Sequence, residues 1–113
     1  MNTKTKENRK KLKVRSKMIG TETRPRLSVH RSSRFIYVQA IDDVNSRTML
    51  ASSDKKLALK GTKGEKAQLL GKKFAELLKE KSINTAIYDR GQFVYKGRVK
   101  ALAESLREAG IKI

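Results

Sequence analysis

The sequence contains no cysteine, and it has only one histidine and one proline. Without cysteine there can be no disulfide, no catalytic thiolate and no sulfur-ligated zinc. The single histidine, His30, cannot build a multi-histidine metal centre. We therefore expect this chain to need no metal and no other cofactor.

Long apolar runs are also missing. No run approaches the roughly 18 residues that a transmembrane helix needs. No strongly basic amphipathic segment carries the bulky aromatic anchors of a membrane-surface helix, and no apolar segment follows the basic N-terminus as it would in a secretory signal. The sequence predicts a soluble, cytoplasmic protein without a membrane partner.

Acidic residues are scarce relative to basic ones. Lys and Arg number 28 and Asp and Glu number 11, so the net charge is +17. An excess of this size attracts polyanions, and nucleic acid is the leading partner class because neutralised phosphates release condensed counterions. At 113 residues the chain suffices for one domain with a modest core.

Residues 1–20 form a compositional block of their own. Up to Lys17 the block holds eight cations and one acid, a net charge of +7. It has too little apolar surface to offset the entropy of ordering, so we expect disorder in the free chain. A solubilising tail is one interpretation; the charge pattern favours a basic arm that orders on nucleic acid. Residues 21–113 are expected to form the folded domain.

Three strands followed by a helix are predicted for the first part of this domain. Alternation at 26–31, a β-branched and aromatic run at 34–41, and residues 47–53 predict an antiparallel meander. Ser32-Ser33 and residues 42–46 have turn composition. Thr62 and Glu65 match a capping box, so a helix should begin near residue 63.

The second part of the domain is predicted to hold one strand and one helix. Residues 85–88 form a short apolar strand that can pair in parallel with an earlier one. A last helix should span about 98–109, with Gly110 as a left-handed C-cap. The fold class is α/β (α+β): a βββαβα domain with a mixed, mainly antiparallel sheet, two helices on one face and a flexible basic arm.

That topology leaves one sheet face without helices. In the second predicted strand Ile36, Val38 and Ala40 share one face, and Phe35, Tyr37 and Gln39 share the other. If the aliphatic set packs under the helices, the aromatic and amide set faces outward, where bases can stack. The opposite arrangement is equally compatible with the sequence.

Catalysis is not expected. Asp89 is the only carboxylate in residues 87–102, and an acid–base pair would need a second group beside it. No nucleophile triad and no GxxxxGK[ST] phosphate loop occurs. Asp42-Asp43 has the composition of an Asx-type turn. We predict a protein that is not an enzyme and has no small-molecule substrate.

The start of the last helix has the composition of a phosphate cradle. Lys96, Gly97 and Arg98 place two cations where they oppose the helix dipole. A bound anion would reverse that penalty, because free N–H groups, dipole and cations all favour it. Arg90, next to Gly91, could add a guanidinium that binds phosphate through two hydrogen bonds, and Tyr95 could add a ring for stacking. The alternative is an ordinary strand–turn–helix connection with solvated cations. The net charge of the chain favours the phosphate cradle over this alternative.

The segments DRGQFVYKGRVKALAESLREAGIKI and RPRLSVHRSSRFIYVQAIDD, with the lysine-rich arm, closely resemble the bacterial large-subunit ribosomal protein eighteen family, which binds 5S ribosomal RNA. The resemblance covers essentially the whole chain in order. Three residues depart from the family pattern. The family usually has glycine at the position of Gln92, often histidine at that of Lys96, and usually an aromatic residue at that of His30.

The resemblance implies a structural component of the large ribosomal subunit that bridges 5S and 23S ribosomal RNA in the central protuberance. Neighbouring proteins of the protuberance are implied as further partners. The implied RNA-facing residues are Arg9, Lys10, Lys11, Lys13, Arg15, Lys17, Arg24, Arg26, Arg31, Arg34, Tyr37, Gln39, Arg90, Gly91, Tyr95, Lys96, Gly97 and Arg98.

Two other functions compete with this one. A nucleoid-type protein would coat duplex DNA through charge alone and would be indifferent to RNA folding. An RNA-modifying enzyme, which fits less well, would lose turnover when Asp89 is changed to Asn.

Overall fold

The computed structural model describes residues 19–113. Its elements are β1 (Arg26–Arg31), β2 (Ile36–Asp42), β3 (Arg47–Ser53), α1 (Lys63–Glu80), β4 (Ile87–Asp89) and α2 (Gly97–Glu108). The predicted βββαβα order is confirmed. The predicted arm lies outside the described residues, apart from Ile19 and Gly20.

Two strands begin later than predicted. β2 starts at Ile36 rather than at 34, because Ser32 and Phe35 close a turn: Ser32 N donates to Phe35 O at 2.8 Å, and Phe35 N donates to Ser32 Oγ at 3.1 Å. β4 starts at Ile87 rather than at 85, because Thr85 instead forms an isolated parallel bridge with Lys112.

The four strands form one mixed sheet in the order β3-β2-β1-β4. β1 pairs antiparallel with β2, and β2 pairs antiparallel with β3. β4 pairs in parallel with β1, as predicted. Since parallel strands end at the same edge of a sheet, the loop after β4 meets the turn after β1.

The core lies between one sheet face and the two helices. The aliphatic side chains of β2 (Ile36, Val38 and Ala40) are fully buried there, together with Phe74 of α1 and Leu102 of α2. This settles which face of β2 is internal: the small aliphatic set packs under the helices, so Tyr37 and Gln39 point away from the core.

The helices approach each other closely and are capped as their sequences predict. A Cβ placed on Gly71 of α1 would lie 2.7 Å from Ser105 Cβ of α2, so glycine permits the contact. Thr62 Oγ1 accepts a hydrogen bond from Glu65 N, which confirms the N-cap of α1. Gly110, just beyond α2, has φ +96°, the left-handed geometry expected of a C-cap.

The β2–β3 connection is the predicted Asx-type turn. Asp42 is buried, and its Oδ1 accepts hydrogen bonds from Val44 N at 3.1 Å and Asn45 N at 3.2 Å. Asn45 Nδ2 donates to Asp42 Oδ2 at 2.7 Å. These bonds, that from the Asn45 side chain above all, hold the pKa of Asp42 below its ordinary value.

Within residues 19–113, no helix is long and apolar enough to cross a membrane. The same part of the chain contains no group of three or more His, Cys, Asp or Glu side chains arranged to hold a metal ion.

Candidate nucleic-acid interface

The outer face of the sheet, opposite the helices, presents polar and aromatic side chains. The register pairs His30 of β1 with Tyr37 of β2 and Ser28 with Gln39, so these four side chains share that face. Tyr37 is 38% exposed, which is high for a large ring in the middle of a sheet. The outer face is therefore a surface on which a planar partner could stack.

Three rings form an aromatic cluster, defined as His30, Tyr37 and Phe93. The His30 and Tyr37 rings stack with centroids 5.0 Å apart and planes 14° apart. Phe93 meets His30 edge-on at 6.4 Å, and the Arg31 guanidinium lies 5.3 Å from the Phe93 centroid. The cluster joins the loop after β4 to the sheet. The guanidinium of Arg31 makes a cation–π contact with one of its rings.

Phe93 and His30 are members of this cluster that the sequence did not assign to the interface. The signal for Phe93 was its position between Gly91 and Gly97 in a glycine-containing, basic loop. Its contact with β1 depends on the parallel β1–β4 pairing, which brings residues more than 60 positions apart together. The signal for His30 was the alternation of the strand, which places its side chain on the same face as that of Ser28.

The loop between β4 and α2 is held by its own polar groups. Asp89 Oδ1 accepts a hydrogen bond from Gly91 N at 2.9 Å. Arg90 Nη1 donates to Phe93 O at 2.6 Å, and Phe93 N donates to Arg90 O at 3.1 Å. Gly91 has φ +59°, a left-handed conformation that favours glycine. The loop thus has a defined shape before any ligand binds.

The N-terminus of α2 is open to an anion. Lys96 occupies the N-cap position, and within the described chain its side chain makes no capping hydrogen bond. The first turn of α2 contains no acidic residue. A Cβ on Gly97 would have no described atom within 4 Å, so a ligand could approach the backbone closely. Unsatisfied N–H groups and the helix dipole both favour negative charge at this terminus.

Arg98 connects this helix terminus to the turn after β1. Its Nη2 donates to Ser32 O at 2.6 Å. Its Nη1 is buried and has no hydrogen-bond partner among the described residues. Arg98 as a whole is half-buried, so a phosphate oxygen at the exposed part of its guanidinium would gain a strong, charge-assisted bond.

Besides Arg90 and Arg98, two more of the predicted RNA-facing residues have side-chain partners inside the protein. Arg26 donates to Asp43 at 3.0 Å and to Asp89 at 2.8 Å, and these carboxylates, Asp43 first, raise the pKa of Arg26. Tyr95 Oη accepts a hydrogen bond from Arg107 Nη1 at 2.9 Å. The contact of both residues with RNA stays a prediction.

The predicted residues fall at two ends of β1. Arg24 and Arg26 lie near its start, beside Gly20, whose N donates to Asp43 Oδ2 at 2.7 Å. Arg31 and Arg34 lie near its end, next to the loop after β4. β1 has six residues, so its two ends lie about 17 Å apart. The contacts of Phe93 with Arg31 and of Arg98 with Ser32 bring the loop after β4 and the start of α2 to this second end. The predicted residues on these segments and around the end of β1 are Arg31, Arg34, Tyr37, Arg90, Gly91, Tyr95, Lys96, Gly97 and Arg98.

Gln39 lies between these ends, half-buried on the outer face. The arm residues Arg9, Lys10, Lys11, Lys13, Arg15 and Lys17 lie outside the described part of the chain, so their predicted role stays a prediction.

Comparison with known proteins identifies the family. The family model described as ribosomal L18 of archaea, bacteria, mitochondria and chloroplasts matches residues 1–113. The large ribosomal subunit protein uL18 of Clostridium perfringens SM101 is 52% identical over 106 residues, covering 92% of this chain and 89% of that protein. The uL18 protein of Bacillus mycoides KBAB4 is 50% identical, covering 88% of this chain and 86% of that protein.

A match over the whole chain, with about half of the residues identical, is far beyond what a shared fold alone produces. Relatives of this kind are structural proteins of the ribosome and not enzymes, which agrees with the expectation that Asp89 has no catalytic role. The chain belongs to the ribosomal L18 family of large-subunit ribosomal proteins.

Proposed function

We propose that this chain binds 5S ribosomal RNA and bridges it to 23S ribosomal RNA in the central protuberance of the large subunit. The observation that carries the proposal is the junction of the aromatic cluster with the open N-terminus of α2. The two features meet at the turn after β1: Phe93 brings the loop to the stacked rings, and Arg98, in the first turn of α2, donates to Ser32 O.

The chemistry of this junction suits folded RNA better than a uniform duplex. The α2 terminus and Arg98 would take phosphates, which fix position without reading sequence. Tyr37 offers a ring to a base that has left its stack, and bases of this kind occur in RNA loops and bulges. Gln39 beside it can bond to a base edge or a 2′-hydroxyl.

Bridging requires two RNA-binding surfaces. The outer sheet face with the loop after β4 would be one of them, and the basic arm, which precedes the folded domain in the sequence, would be the second. Neighbouring proteins of the protuberance would be further partners, and the place of action would be the ribosome in the cytoplasm.

Changing Arg98 to Ala tests the first surface. Loss of a charge-assisted phosphate contact should weaken binding to labelled 5S ribosomal RNA by roughly tenfold or more. Lys100→Ala is the matched control, because it removes one exposed cation from the same helix, where Lys100 lies 3.8 Å from Glu104. Melting curves would confirm that both variants fold. Equal, small losses in the two variants would show that Arg98 contributes only net charge.

Bridging has its own test. The chain would be mixed with 5S and 23S ribosomal RNA and sedimented, with a variant lacking residues 1–17 in parallel. We expect 5S RNA to sediment with 23S RNA only when the full chain is present. Binding of each RNA alone without joint sedimentation would contradict the bridge but leave 5S binding intact.

A further inference from the structure

A second feature of the outer sheet face lies on the β2–β3 side, away from the aromatic cluster's contact with the loop after β4. It is a shallow, mostly apolar pocket of about 290 Å³, and Phe35, Tyr37, Ala51, Ser53, Lys55 and Lys56 contribute to its wall. The sequence did not connect Lys55 or Lys56 with the interface; both lie just after the third predicted strand, which ends at residue 53.

The wall of the pocket combines rings with cations. Lys55 Nζ lies 5.2 Å from the centroid of the Phe35 ring. Phe35 is half-buried, whereas Lys55 and Lys56 are exposed. Among the described residues that line the pocket there is no carboxylate. A flat, electron-rich group carrying negative charge at its edge would complement this wall.

The backbone around the pocket is fixed on both sides. In the turn before β2, Phe35 N donates a hydrogen bond to Ser32 Oγ, and Phe35 O accepts one from Ser32 N. Lys56 N donates to Ser53 Oγ at 2.9 Å at the end of β3. The rings and lysine stems therefore start from defined positions, which lowers the ordering cost of binding a ligand.

We propose that this pocket holds one unstacked nucleobase of the bound RNA, stacked on Phe35 and Tyr37, with its phosphate against Lys55 and Lys56. The inference rests on the proposed function and deepens it, because it names the kind of nucleotide that this part of the face takes. A paired base has no open ring face, so the nucleotide must come from a loop, bulge or end.

The chain contains no tryptophan, so Phe35→Trp introduces a single indole reporter. Binding of 5S ribosomal RNA would be followed by anisotropy of a label on the RNA and by indole fluorescence in the same titration. Val44→Trp is the control, because Val44 is 67% exposed in the turn at the other end of β2. We expect strong quenching with the indole at position 35 and little with it at position 44.

Phe35→Ala provides a second readout. Loss of one base–aromatic stack should weaken binding by roughly 5- to 150-fold, whereas Val44→Ala should leave binding unchanged. RNA binding with equal quenching at both positions, or an unchanged Kd for Phe35→Ala, would overturn the pocket while leaving 5S binding in place. No binding of 5S RNA by the unmodified chain would overturn both.

Discussion

Arg26 Nη1 donates a hydrogen bond to Asp89 Oδ2 at 2.8 Å, and the other oxygen of that carboxylate accepts from Gly91 N. Arg26 thereby ties the start of β1 to the loop that follows β4. Its Nε and Nη2 donate to Asp43, so one guanidinium also holds the β2–β3 turn. In this arrangement Asp89 positions the loop that we propose to face RNA, although its charge would repel RNA.

Asp89→Ala should therefore weaken binding to 5S ribosomal RNA, although it removes a negative charge. We expect the affinity to fall by roughly 2- to 10-fold. Without the carboxylate the free loop is less ordered, and ordering it on binding reduces the net binding free energy. Glu76→Ala, which removes an exposed carboxylate from α1, should leave affinity unchanged or raise it slightly. Tighter binding by Asp89→Ala in a filter assay would mean that the carboxylate only repels RNA.

The contact between the helices predicts opposite effects for two glycines of α1. Gly71→Ala would place its Cβ 2.9 Å from Leu102 O and 2.7 Å from Ser105 Cβ. We expect a net loss of about 1–3 kcal/mol in the free energy of unfolding. Gly64→Ala, with no described atom within 4 Å of its Cβ, should raise stability by up to about 1 kcal/mol. Urea denaturation of both variants measures this, and a stabilising Gly71→Ala would contradict the close packing.

The Asx turn predicts a dependence of stability on pH. The pKa of Asp42 is lowered from its ordinary 3.8 in the folded chain, first by Asn45. The folded state therefore binds fewer protons than the unfolded state near that pH. The stabilisation is present above about pH 4 and is lost as pH falls through the lowered pKa.

Asp42→Asn and Asn45→Ala should both be less stable than the unmodified chain at pH 7. For each variant, the difference should shrink as urea denaturation is repeated from pH 6 down to pH 2. A difference that does not change with pH would show that the carboxylate's charge does not stabilise the turn.

Deleting residues 1–17 removes eight cations and one acid. Each lost phosphate contact should reduce the slope of log affinity against log salt by about 0.7 to 0.9. A full-length variant with those eight cations changed to Gln should give the same reduced slope, since charge rather than length is responsible. If the slope is unaltered, the segment is only a solubilising tail.

The sequence predicted the order of elements well because local signals decided it. Thr62 with Glu65 marked the start of α1, Gly110 marked the end of α2, and the composition of residues 42–46 marked the turn. The sequence did not decide which face of β2 is internal, because that depends on where the helices pack. Ile36 and Tyr37 have similar strand propensity, and only the tertiary arrangement buries the first and exposes the second.

Charge and glycine pointed the sequence analysis to part of the candidate interface, as at Gly97 and Arg98, whose contact with RNA stays a prediction. It was not predictable where distant residues meet. The stacking of His30 with Tyr37, the edge-on contact of Phe93 and the bonds of Arg26 to two carboxylates all follow from strand pairing. Net charge also could not distinguish Arg26, which has partners inside the protein, from Arg31, which is exposed.

The proposed function requires the chain to select 5S ribosomal RNA by its folded shape. The most direct measurement is a competition at about physiological salt, where non-specific binding is weak, about 10⁻⁴–10⁻⁶ M for DNA. Labelled 5S ribosomal RNA bound to the chain would be challenged with excess transfer RNA and with duplex DNA of similar length. We expect the 5S complex to survive both challenges. Equal displacement by both competitors would contradict this expectation, because the chain would then read charge alone.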